Sequence, residues 1–570
     1  MLDLAIRGGL LVDGTGAPGR RADVGVRNGR VVEIGEVGPA ARDIDASGRV
    51  VTPGFVDVHS HFDAQVFWDP TLGPSSLHGV TTTVAGNCGF TLAPLHDDAL
   101  DYLVRMLAVV EGMPLDALRA GVPGDWRSTA QYLDRIEGTL AINAGFMVGH
   151  SALRRVVMGD HAVEREASAD ELDAMLALLH EGLSAGGLGF SSSWGAVHFD
   201  GDGRPVPSRF AAPAELVALA GACRDHEGTS LEFLPARVDR FDAEQLELLT
   251  SMSVAAGRPL NWNVIRITAD DRAATEAVLA AGPHARARGG RIVALNMPIP
   301  SRARFSFKTG FALDALPDWG PVMTLPLADR RAALADPGVR RRLAQGAAAA
   351  PGPLAEMANW GDRVICETIT DGARAYQGRR VGEIARHEGK EPFDALLDIV
   401  CADELGTTFT RPATEPSRDD WLASAEAWRS GHAVIGASDA GAHLDFTAYF
   451  DYPVYILEKA VREHGALSLE ETVHLMTDVP ARLYGLRDRG RLDPGCWADA
   501  VVLDPDRVAT GTMHTRHDLP AGAGRLYAEP IGIDQVVVNG TPIVEGGSAT
   551  GARPGTLLRS GRDTTNPPLR

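Results

Sequence analysis

Residues 51–69 read VTPGFVDVHSHFDAQVFWD, an apolar run that ends in two histidines one residue apart, His59 and His61. On an extended strand, residues i and i+2 project to the same face. Both imidazoles therefore leave the strand end on one side. The pair is either a solvated strand end at a surface or a metal chelate at the mouth of a barrel. The rest of the chain decides between them.

Seven further strand-like runs follow at wide spacing: GVTTTVAGNCG (79–89), INAGFMVGHS (142–151), GGLGFSSS (186–193), TSLEFLP (229–235), PLNWNVI (259–265), RIVALNMPI (291–299) and AVIGASDAG (433–441). Amphipathic segments lie between them. In ADELDAMLALLHEGLSAG (169–186), Leu172, Met175, Leu176 and Leu179 recur at helical spacing. Strand and helix in alternation predict parallel βα units. Eight such strands predict an α/β chain built as a (β/α)8 TIM barrel, whose function collects at the C-terminal strand ends. The polar residues sit at those ends: His59, His61, Cys88, His150, Ser191 to Ser193, Glu232, Asn261, Asn263, Asn296 and Asp439. A doubly wound sheet is the competing fold, but it would not place polar groups at the end of nearly every strand.

Residues 1–52 and 489–550 instead hold short alternating strands with glycine turns. They predict one small β-sandwich shared by the two segments, beside a barrel over 53–488. Residues 297–365 interrupt the βα rhythm and predict an insertion over the barrel mouth. Residues 551–570 read as a C-terminal tail, disordered over RDTTNPPLR.

The chain has 570 residues, 45% hydrophobic and 23% charged, as in ordinary globular proteins. No apolar run is long enough to span a membrane, and no signal peptide is legible. The net charge of −20 argues against affinity for nucleic acid or an anionic membrane. Five scattered cysteines do not form a disulfide framework and fit a reducing cytoplasm. The expected partner is a small-molecule substrate, and a homo-oligomer is compatible with the sequence.

Taken together, PGFVDVHSH, AGNCG, VGHSALR (148–154), IGASDAGAHLDF (435–446) and GRLDPGCWADAVVLD resemble the amidohydrolase superfamily, in its branch of D-aminoacylases or N-acyl-D-amino-acid deacylases. The resemblance covers most of residues 1–545. It implies that His59 and His61 bind zinc, that Cys88 on the second strand contacts the metal, and that Asp439 is both ligand and general base. Two strands depart from the family. Glu232 ends the fifth strand, and Asn261 and Asn263 stand on the sixth, where the family carries histidines followed by a basic residue. The site formed by His59, His61 and Asp439 is intact, while the set of cysteine and two histidines is not. Without that basic residue, a substrate carboxylate lacks its usual partner.

The residues support part of this directly. His59 and His61 can give two imidazole nitrogens to one zinc and leave positions open for water and substrate. Asp439 can touch the metal and accept a proton, or merely cap the following helix. Glu232 can ligate through oxygen or share in proton transfer. Cys88 reads as a metal contact or a buried structural thiol. His150, Asn263 and His443 are expected at the substrate, as is the loop 191–209. The expected activity is hydrolysis of an amide C–N bond, with one zinc per chain, hydroxide on the metal as nucleophile and Asp439 passing the proton to the leaving nitrogen. Alternatives are a cyclic amide or imide hydrolase, a deaminase, or a non-catalytic ligand-binding barrel.

Overall fold

The computed structural model describes residues 1–96 and 99–569, and residues 352–354 in their backbone only. All eight expected runs contain strand: β1 (Phe55–Asp57), β2 (Val80–Ala85), β3 (Asn143–Phe146), β4 (Gly189–Ser193), β5 (Ser230–Leu234), β6 (Leu260–Ile265), β7 (Ile292–Asn296) and β8 (Ala433–Ile435). They are parallel and paired in chain order, β1 with β2 and β2 with β3. β3 continues as Val148–Gly149, which pairs with β4, and the run proceeds through β5, β6 and β7 to β8. Just past the outer strands, Ser60 and Ala440 form a parallel bridge, so the first and last members of the run meet.

Alternation along the strands sorts their side chains. In β7, Ile292 and Ala294 join the large core shared with the helices, while Val293 and Leu295 join a second cluster with Val56, Val84 and Val434. Helices between strands start where the sequence provides caps. Before α1 (Ala169–Ser184), Ser168 and Glu171 form a reciprocal capping box that satisfies two otherwise orphaned backbone donors. Met175, Leu179 and Leu183 form its buried face.

The segments flanking the parallel strands meet in two sheets. One seven-stranded sheet mixes residues from both sides, with Ala500–Leu503 antiparallel to Val50–Pro53. A four-stranded sheet from residues 2–45 packs on it through Leu4, Val26, Val51, Val502 and Val537.

Two boundaries differ from the sequence reading. The insertion after β7 does not end at residue 365. Its own core runs from Phe305 to Phe409 and includes Trp319, Trp360, Phe393 and Leu396. A three-stranded antiparallel sheet joins Arg304–Ser306, Thr408–Thr410 and Val364–Glu367. The helix Pro392–Ala402 lies beyond the expected end of the insertion and buries Phe393 and Leu396 in its core.

Over its described residues, through 569, the tail is not disordered. Leu557–Leu558 pairs in parallel with β3, and Thr564, fully buried, donates to the Gly228 carbonyl at 2.7 Å. Its apolar pair and hydroxyl find partners on elements hundreds of residues away, which local composition does not reveal.

Candidate metal centre and active-site cleft

The His59–His61 pair enters the site on the turn after β1, held by three backbone contacts. His61 N–H donates to the Ala440 carbonyl at 2.7 Å, Asp439 N–H to the His59 carbonyl at 3.2 Å, and His59 N–H to Asp57 Oδ1 at 3.3 Å. The other Asp57 oxygen accepts the Ser438 hydroxyl, tying β1 to the turn after β8. Gly441 packs against this junction with φ +93°, where a Cβ would sit 2.6 Å from the His61 carbonyl oxygen. Cys88 itself adopts φ +55°, a conformation that disfavours side chains. It follows Gly86, whose Cβ would approach Met147 backbone atoms to 2.9 Å.

These turns bring three buried donors together. The ligand atoms of His59, His61 and Cys88 lie within 4.8 Å of one another. Cys88 Sγ is 3.8 Å from His59 Nε2. Asp439 Oδ1 stands 3.2 Å from His59 Nε2 and 3.8 Å from His61 Nε2. Burial pushes the Asp439 carboxyl up, but the hydrogen bond and charge of His59, then His61 and His443, outweigh it and hold the group at about 2. Burial pushes the His61 imidazole well below its ordinary value and the Cys88 thiol well above.

Glu232 lies beside this cluster but faces the other ring nitrogen of His59. Its Oε2 accepts the Cys88 N–H at 2.6 Å, and Oε1 is 4.0 Å from His59 Nδ1. Burial raises this carboxyl to about 7. Asn263 donates to Cys88 Sγ at 3.3 Å and leaves its Oδ1 unpartnered. Asn261 is committed to the Leu231 carbonyl and the Tyr484 hydroxyl. His443, its pKa lowered by burial, shares a cleft wall with Asp439.

His150 is not brought to this group. Both its ring nitrogens are engaged at 2.8 Å, with Ser192 and with Glu215, and Glu215 also takes the buried Arg154 guanidinium. A lone histidine after β3 gives no hint of these partners.

The sequence reading missed three groups. Asp57 is the buried tie just described. Glu111, also buried, places Oε1 at 3.4 Å from His61 Nδ1, and its carbonyl accepts the His443 N–H. His198, on the loop 191–209, is hydrogen-bonded to Ser193 Oγ at 2.8 Å, and burial followed by the charge of His443 lowers it to about 3. A carboxylate closing an apolar helix, as in AVVEG (108–112), was a legible signal for Glu111 alone.

Asp439 and His443 open onto a cleft of about 540 Å³, also walled by Val264, Arg266, Met297 and Tyr449. Buried nitrogen, sulfur and carboxylate donors converging at strand ends beside a cleft can hold a cation and present it to a small molecule.

A model of the amidohydrolase family matches residues 42–544. The chain belongs to that family. As an amidohydrolase it is a metal-dependent hydrolase acting on carbon–nitrogen amide bonds. It is similar to the N-acyl-D-glutamate deacylase of Alcaligenes xylosoxydans xylosoxydans, with 31% identity covering 98% of this chain and 96% of the relative. The D-aminoacylase of the same organism is 29% identical over 98% of this chain and 97% of its own. Among solved structures, a D-aminoacylase crystal structure superposes with a TM-score of 0.64 at 27% identity, covering 98% of this amidohydrolase and all of that chain. The N-acyl-D-glutamate deacylase from Bordetella bronchiseptica, complexed with zinc and a phosphonate inhibitor, gives 0.63 at 27% identity, covering 98% of this chain and 99% of that one. Among the described residues, no helix is long and apolar enough to cross a membrane.

Proposed function

We propose that the protein is a deacylase that hydrolyses the amide bond of an N-acylated amino acid, using one zinc held by His59, His61, Cys88 and Asp439. The convergence of the His59, His61 and Cys88 ligand atoms within 4.8 Å, with Asp439 against both imidazoles, carries this reading. The donors fit the ion. Imidazole, thiolate and carboxylate are zinc's usual ligands, and Cys88 Sγ and Asp439 Oδ1 both approach His59 Nε2, at 3.8 and 3.2 Å. A divalent metal there supplies Lewis acidity toward a carbonyl oxygen and acidifies a bound water.

The chain's own groups do the rest. Asp439 is anionic at neutral pH and opens on the cleft, so it accepts the proton of the nucleophilic water and returns it to the leaving nitrogen. Glu232 and Glu111 stand on the Nδ1 side of His59 and His61, at 4.0 and 3.4 Å, opposite the Nε2 atoms that face Asp439. Neutral His443 and the unpartnered Asn263 amide oxygen offer hydrogen bonds to substrate.

The same reading extends to the scaffold. The Ser60–Ala440 bridge supports closure of the eight strands into a (β/α)8 barrel, and the core shared by the two flanking sheets supports a small β-sandwich. Five unpaired cysteines support a cytoplasmic location.

Elemental analysis of protein expressed with zinc tests the proposal, together with amine release from a panel of N-acyl amino acids. About one tightly bound divalent metal per chain is expected. Absence of metal after expression, with none taken up on titration, rejects the site.

A further inference from the structure

The cleft beside the metal donors takes much of its wall from two segments. One is Val264 to Arg266 at the end of β6, so a basic residue does follow the sixth strand, against the expectation from sequence. The other is the loop after β8, which supplies Asp439, His443, Phe446, Thr447 and Tyr449. On this loop Ala437, Asp439 and His443 take φ of +65°, +49° and +49°. Side chains rarely adopt that conformation, and it persists only where the surroundings over-determine it.

The surroundings change along the loop. Residues 438–441 are tied to the turn that carries His59 and His61. The Ser438 hydroxyl donates to Asp57, Asp439 N–H to the His59 carbonyl, and His61 N–H to the Ala440 carbonyl. Residues 443–446 reach the insertion instead. Arg304 N–H donates to the Phe446 carbonyl at 2.7 Å, and the Phe446 ring packs against the insertion's core. Phe305 and Phe311 meet that ring edge to face, at 5.3 and 5.1 Å between centroids. Phe311 also lies 5.5 Å from the His443 ring. Gly112 closes the same contact, since a Cβ there would sit 3.1 Å from His443 Nδ1 and 3.3 Å from Phe311. The Glu111 carbonyl fixes the His443 backbone. The ring is fixed by packing, because its Nδ1 is buried without a hydrogen-bond partner.

We propose that Phe311 is a positioning residue for the substrate side of the site. Through His443 and Phe446, the insertion holds one half of the loop after β8, while the turn after β1 holds the half that bears Asp439. This rests on the amide-hydrolase reading above and divides its machinery in two. Loosening the insertion at this contact lowers turnover and leaves metal affinity unchanged.

The test compares the zinc-loaded full chain with Phe311→Ala and with Phe311→Tyr, which keeps the ring. On N-acetyl-D-methionine and N-acetyl-D-glutamate, Phe311→Ala should lower kcat/KM about ten-fold or more. Phe311→Tyr should retain the wild-type value, and zinc affinity by chelator competition should be the same in all three proteins. In a His443→Gln background, Phe311→Ala should cost nothing further, because it acts through that ring. An equal loss in both backgrounds, an unchanged kcat/KM, or a zinc affinity that falls with turnover overturns the proposal. Hydrogen exchange is independent of turnover. In Phe311→Ala, the amides of residues 443–449 should exchange faster and those of 57–63 should not. Equal exchange in both proteins, or faster exchange in both segments, overturns the proposal. Phe311→Leu repeats each measurement with more of the apolar bulk kept. If wild type cuts no amide, the hydrolase reading fails, while exchange and zinc affinity still decide the division of the loop.

Discussion

Asp439 is the residue on which most of the proposed chemistry converges, its carboxyl held low by His59, His61 and His443 while its side chain is still 22% exposed. Replacing it with asparagine keeps the shape and removes the proton acceptor. Asp439→Asn should lower turnover by about a hundred-fold or more with an unchanged circular dichroism spectrum. Near wild-type activity would remove Asp439 from the role of base. Glu232 poses a sharper question, because its oxygens touch the Cys88 amide and approach His59 Nδ1 rather than Nε2. As an orienting group, Glu232→Gln should weaken zinc affinity by about 10- to 100-fold. Chelator competition reads the affinity and single-turnover kinetics read the chemistry. Retained affinity with lost turnover would make Glu232 a proton-transfer group instead, and no change in either would leave it neither role. At this scale, His59 and His61 were legible from their spacing at the end of an apolar run, and Asp439 from its place at the end of the eighth run. His198 was not, and Glu111 was legible only as a carboxylate closing an apolar helix, not as a neighbour of His61. They arrive from a helix terminus and a loop, and nothing local tells which strand end such residues will face.

Between residue and molecule stands the insertion after β7. Trp319 is fully buried in its centre, stacks on Trp360 at 5.5 Å between ring centroids and donates from Nε1 to the Leu343 carbonyl at 2.9 Å. Trp319→Ala should destabilise this element by about 3–5 kcal/mol. Hydrogen exchange should show faster opening of residues 305–409, while the parallel strands stay protected. Uniform loss of protection across the chain would mean that the insertion does not unfold as a unit. The eight strand positions were readable from sequence because each is a buried apolar run bounded by turns. The end of the insertion was not. The Pro392–Ala402 helix has an apolar face, and amphipathicity states that a face is covered without stating by what. The same limit applies to Leu557–Leu558, two residues whose pairing with β3 only the assembled sheet defines.

For the molecule as a whole, those late residues are part of the wall they lean on. Leu557 and Leu558 are buried to within 1%, and Thr565 N–H donates to the Gly485 carbonyl at 2.7 Å. Removing residues 556–570 should abolish cooperative folding or lower the melting temperature by several degrees, since two buried leucines contribute roughly 3–6 kcal/mol. Thr564→Ala should give a smaller loss of about 1 kcal/mol. A truncated protein that melts with the full chain would show that the strap is ornamental. This wiring also has a consequence for synthesis. β3 obtains one neighbour from residue 82 onward and another only when residue 558 has been translated, and the seven-stranded sheet likewise joins residues 50–53 to 500–503. A ribosome therefore releases most of this chain before its central sheets can be completed. Strand edges of these sheets therefore stay unpaired until late in synthesis, the condition in which an emerging chain is most open to aggregation.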